Sequence, residues 1–192
     1  MRKIVIAAAL AALSTPALAQ APASPAAKGS QAQMQPMTAD KFAPTVAISD
    51  MFEIESSKAA TLKAQSSEVK SFAQKMITDH QKTSSELKSM VEAGKVKNVQ
   101  LPQQIDDEHA QKLQQLQGAS GGDFDRLYQQ MQVDAHKKAV SLFDSYARNG
   151  DNSDLKNWAQ KTLPHLKEHL TKAEGIKVDA RTTQGQSPTS KK

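Results

Sequence analysis

The segment SSEVKSFAQK (66–75) returns later in the chain as NSDLKNWAQK (152–161). Ser67, Lys70, Ala73, Gln74 and Lys75 recur as Ser153, Lys156, Ala159, Gln160 and Lys161, while Leu155 and Trp158 stand in for Val69 and Phe72. Each copy opens on a small polar residue followed by an acid, Ser66-Ser67-Glu68 and Asn152-Ser153-Asp154. That is the composition of a helix N-terminus, where a side-chain oxygen accepts from a free backbone N–H and the acid faces the positive end of the dipole. Behind each start, apolar residues recur every three or four positions. The first run is Val69, Phe72, Met76, His80, Leu87 and Val91; the second is Leu155, Ala159, Thr162, Leu166, His169 and Ala173. Both runs predict amphipathic helices.

Upstream of each lies another stripe. Ile48, Phe52, Glu55, Ala59 and Leu62 precede the first copy, and Val133, His136, Val140, Phe143 and Ala147 precede the second. The repeated segment therefore begins the second helix of each of two hairpins. Between them, a stretch beginning at Leu101-Pro102 carries Ile105, His109, Leu113 and Leu116, which predicts a shorter crossover helix. Two hairpins joined by a long connection make an all-α, ferritin-like four-helix bundle with a crossover helix between helices 2 and 3. Gly94, Gly150 and Gly175 mark expected helix stops, and Gly118, Gly121 and Gly122 precede Asp123 as an expected cap of the third long helix. Alternating apolar and polar runs rich in β-branched residues are nearly absent.

The ends read differently. Arg2 and Lys3, the apolar run from Ile4 to Leu13 and Ala17-Leu18-Ala19 have the layout of a cleaved signal peptide over residues 1–19, with cleavage after Ala19. Residues 20–37 read as a disordered Ala/Pro/Gln-rich linker, 38–175 as the bundle and 176–192 as a disordered basic tail. The expectation is an exported, periplasmic protein with no integral membrane segment after cleavage. The chain has no cysteine, so no disulfide, thiolate metal site or Cys nucleophile is available. Its net charge of +5 sits at the ends: residues 38–175 hold 18 basic and 19 acidic side chains. A near-neutral, mixed surface argues against nucleic acid as a partner.

The stretches EIESSKAATLKAQSSEVKSFAQKMITDH, LPQQIDDEHAQKLQQLQGASGGDFDRLY and VDAHKKAVSLFDSYARNGDNSDLKNWAQKTLPHLKEHL resemble the bacterial domain of unknown function 4142. The resemblance spans roughly residues 40–174, and SSEVKSFAQKMITDH and LKNWAQKTLPHLKEHL are its most specific pieces. It implies an exported domain of the ferritin-like superfamily and implies no established reaction.

Polar residues on apolar stripes are the chemical clue. Glu55, His80, His136 and His169 each interrupt one helix's expected core face. One ionisable group per helix, directed inward, is how bundles build metal sites. Neutral imidazole suits Zn, Cu or Fe, and a carboxylate adds charge compensation. Ferritin chemistry itself is not expected, because the chain lacks any Glu-x-x-His and Asp106-x-x-His109 lies on the crossover. His165 and His169 form an i,i+4 pair without the HExxH glutamate of a zinc hydrolase. No Gly-x-Ser-x-Gly or phosphate loop is present, and the reading is of a binding protein rather than an enzyme. The competing expectation is a structural or stress-related cell-envelope protein with a protein partner and no metal, in which the histidines bond across the core.

Overall fold

The computed structural model describes residues 37–178. The expected signal peptide, nearly all of the linker and most of the basic tail lie outside these residues. Five helices follow in order: α1 (Ala39–Lys63), α2 (Ser67–Glu92), α3 (Asp107–Gly118), α4 (Gly121–Asn149) and α5 (Ser153–Gly175). No strand occurs among the described residues. The two hairpins α1–α2 and α4–α5 pack into a four-helix bundle, with α1 also lying on α4. The short α3 rests on α1 and α4. None of the described helices is long and apolar enough to cross a membrane.

The repeated segments start their helices as the sequence requires. Ser66 accepts from the Val69 N–H at 3.3 Å, and Asn152 accepts from the Leu155 N–H at 3.0 Å. The second hairpin also lends two carboxylates to the first. Asp125 of α4 accepts from the amides of Gln65 and Ser66 in the α1–α2 turn, at 3.0 and 2.7 Å. Asp151 of the α4–α5 turn accepts from the Ala39 amide that opens α1, at 2.9 Å. Free N–H groups at helix ends need such partners, so these three bonds set the register of one hairpin against the other.

Two boundaries differ from expectation. Residues 101–106 are not helical; α3 begins after Asp106, whose Oδ1 accepts from the His109 N–H at 2.9 Å. The helix α4 starts at Gly121, so Asp123 sits in its first turn rather than capping it. The helix α5 ends at Gly175, where a stop was expected. Gly94 does end α2 as glycine does best. At φ +69° it lets its own N–H reach the Val91 carbonyl and the next N–H reach that of Met90.

Gly150 works for another reason. Its φ of −61° would suit any residue, but an added Cβ would lie 2.5 Å from the Tyr146 ring. That ring is fully buried and stacked on Phe42 at 4.0 Å, so it cannot step aside. Gly150→Ala should cost about 1–3 kcal/mol in a denaturant titration. A variant midpoint equal to the wild type would remove the steric account.

The core is divided. One apolar cluster, around Phe72, Met76, Phe124 and Tyr128, fills the end near the α1–α2 turn. A second, around Phe42, Phe143, Tyr146 and Trp158, fills the end near the α4–α5 turn. Along each long helix the residues between these clusters are polar and buried: Asp50 and Glu53 on α1, His80 on α2, Gln132 and His136 on α4, His169 on α5. A polar layer enclosed by two apolar ones is costly unless its groups are partnered.

Candidate metal centre

Each of the three histidines presents one ring nitrogen to an acceptor outside the cluster. His80 Nδ1 lies 2.8 Å from Asp50 Oδ1, His136 Nδ1 lies 2.9 Å from the Gln132 carbonyl, and His169 Nε2 lies 2.7 Å from Asp79 Oδ2. A carbonyl or carboxylate can only accept, so each of these nitrogens carries the proton. When a ring is neutral, its remaining nitrogen, His80 Nε2, His136 Nε2 or His169 Nδ1, holds the lone pair. All three are buried without a hydrogen-bond partner. The rings face one another with centroids 5.6, 5.8 and 5.3 Å apart, and one nitrogen from each lies within 4.8 Å of the others. The three residues are 4, 1 and 2% exposed, so water does little to relieve this arrangement. This is a grouping of buried side chains that could hold a metal ion.

The acceptors are themselves held. Asp50 also receives the hydroxyls of Thr83 at 2.8 Å and Ser84 at 3.2 Å. Asp79 takes the Lys75 ammonium at 2.8 Å. Metal-ligating histidines almost always have partners of this type on the far nitrogen, which orient the ring and raise its basicity.

The charge states are divided among the rings. Burial, with the neighbouring His80 charge, lowers His136 to about 3. Burial lowers His169 to about 4 against the opposing pull of Asp79. For His80, burial also opposes the charge, but the bond to Asp50 and the charges of Asp50, Glu53 and Asp79 outweigh it, and the value rises. Glu53 is pushed up to about 7 by burial, against the pull of His80. Its two oxygens have no hydrogen-bond partner, and Oε1 is 4.0 Å from His136 Nδ1.

The structure brings His80, His136 and His169 together and leaves Glu55 outside. Glu55 is exposed and pairs with Lys58 at 2.8 Å on the solvent side of α1. The expected α1 stripe is rotated away from the real one: Leu62, placed on it, is 83% exposed. The buried line runs instead through Phe42, Val46, Asp50, Glu53, Ser57 and Ala60. Asp50 and Glu53 are therefore the carboxylates missed from sequence. Stepping by four and three from Phe42 would have found them, whereas starting at Ile48 did not. Asp79 accepts from both Lys75 and His169. His165 is exposed on α5, and the His109 ring Nδ1 is engaged by Asp106 at 2.6 Å on α3.

Counted from Asp151 at the centre of the α4–α5 turn, His136 and His169 differ in height by about three residues, or roughly 4–5 Å. Long side chains on neighbouring helices span that.

The chain belongs to the family described as "Domain of unknown function (DUF4142)", whose profile matches residues 23–176. No curated protein compared with the chain matches it. Two solved structures share its fold. CopM in the Cu(II)-bound form is 18% identical with a TM-score of 0.61, over 72% of this chain and 95% of that one. The DUF305 protein from Streptomyces coelicolor is 12% identical with a TM-score of 0.58, over 69% of this chain and 86% of that one.

Proposed function

We propose that this protein binds one transition-metal ion through His80 Nε2, His136 Nε2 and His169 Nδ1, and holds the ion rather than turning over a substrate. The observation that carries the reading is the set of three buried, unpartnered ring nitrogens whose other nitrogens are all fixed by acceptors. Imidazole donors suit Cu, Zn, Fe and Ni, and among divalent ions Cu binds most tightly at such a site. The likeness to a bundle solved with Cu(II) bound supports trying copper first. An ion about 2.0–2.1 Å from each nitrogen needs them about 3.3 Å apart, so the rings close slightly on binding. Asp50, Asp79 and Glu53 compensate the ion's charge from just behind the ligands. The signal-peptide layout of residues 1–19 supports export to the periplasm, where the ion would be met.

Elemental analysis of the chain purified without a His-tag, beside a His80→Ala/His136→Ala double variant, tests this. The expected result is one ion per chain, absent from the variant. No ion in the wild type after challenge with Cu, Zn and Fe would overturn it.

A further inference from the structure

The three ligands are buried, so an ion needs a way in. The two hairpins are closely packed within themselves, while α2 and α5 touch far less. Along that seam runs a groove of about 460 Å³ lined by His80 and His169 themselves. The same groove is lined by Asp79 and His165 as well. His165 is exposed and lies one helical turn before His169, so both project toward the same side of α5. Asp79 accepts its two bonds, from Lys75 and from His169, through Oδ2, which leaves Oδ1 for another partner. A carboxylate oxygen and an imidazole on facing helices thus line the same groove as the two histidines whose buried ring nitrogens are unpartnered.

We propose that the α2–α5 groove is the loading route, and that Asp79 Oδ1 and His165 form an outer transit position from which the ion passes to His80, His136 and His169. This rests on the metal reading above. The chemical logic is stepwise replacement: a divalent ion sheds water for one oxygen and one imidazole at the mouth, then exchanges them for three imidazoles inside. Asp79 touches both positions, because the same carboxylate orients His169. The groove also carries Lys161, whose charge opposes an incoming cation.

The chain supplies its own reporter. Its single tryptophan, Trp158, lines this groove, and bound Cu(II) quenches indole fluorescence. Stopped-flow mixing of the full metal-free chain with Cu(II) alone measures loading; equilibrium dialysis measures capacity and affinity separately. His165→Gln should slow loading severalfold while one ion per chain and the equilibrium affinity are retained. Lys161→Glu should speed loading up to about tenfold at low salt, an advantage that shrinks as salt is added. His109→Gln, in a different groove on α3, should load at the wild-type rate. Wild-type loading by His165→Gln, or equal slowing by His109→Gln, would overturn the route. Loss of affinity in His165→Gln would make it an inner ligand and overturn the transit role. A wild-type chain that binds no ion in dialysis would overturn both readings, and dialysis alone reports that case.

Discussion

A saturating divalent transition ion should raise the thermal midpoint of this protein by several degrees. A ligand bound only by the folded state stabilises it by about 2.7 kcal/mol when free ligand is a hundredfold above Kd. For a chain of this size each kcal/mol is worth about 3–4 °C, which gives a shift of about 8–11 °C. The variants separate the site from its surroundings. His136→Gln removes one of three ligands and should abolish the shift. Asp50→Asn weakens the group that orients His80 and should reduce metal affinity by about 10–100-fold while leaving the stoichiometry at one. Glu55→Gln should leave the shift unchanged, because Glu55 is on the solvent side with Lys58. The same shift in His136→Gln as in the wild type would place the ion elsewhere.

The pH dependence of the metal-free protein follows from the same layer. His136 and His169 have folded values of about 3 and about 4, below the ordinary 6.5. The unfolded chain therefore takes up protons that the folded chain refuses, and these two groups cost stability as pH falls below 6.5. Glu53 runs the other way: its folded value of about 7 lies above the ordinary 4.5. Its contribution is fully present below 4.5 and is lost as pH rises through about 7. His80, raised above 6.5, likewise contributes below 6.5 and loses that contribution as pH rises through its folded value. Between 4.5 and 6.5 two histidines outweigh one glutamate, and above 6.5 Glu53 and His80 act together. Metal-free stability should therefore peak near about pH 6.5 and fall on both sides.

Two changes should reshape that curve. Glu53→Gln keeps the volume and removes the titration, so the alkaline limb should flatten and the acid limb steepen. Bound metal should also flatten the alkaline limb, since the ion takes the place of the His80 proton and faces an ionised Glu53. Urea midpoints at about pH 5, 6.5 and 8 read all three curves. An alkaline limb unchanged in Glu53→Gln would show that Glu53 is not the group being uncovered.

How legible this was depended on the helix. On α2, α4 and α5 the apolar stripes are strong, so the face holding His80, His136 and His169 follows from spacing alone. On α1 the buried face is built from Asp50, Glu53, Ser56 and Ser57 as much as from Phe42 and Phe52. Its apolar residues point nearly all round, and the spacing chose a face that turned Glu55 inward and Glu53 out. The cause is tertiary: α1 packs its polar face on the histidine and tyrosine layer, where Ser57 bonds Tyr128 at 2.8 Å and Asp50 bonds His80 at 2.8 Å. Burial there is settled by partners on other helices, which one helix's pattern does not encode.

By itself the sequence determined the helical hairpins, their caps at Ser66 and Asn152, and three inward imidazoles, because periodicity and capping are local properties of the chain. Only the tertiary structure decided that these imidazoles meet at one level, that Asp50, Asp79 and the Gln132 carbonyl take their outer protons, and that Glu53 rather than Glu55 stands beside them. Helix rotation and height emerge from packing four helices at once, and a difference of two residues on one helix carries a side chain to its opposite face.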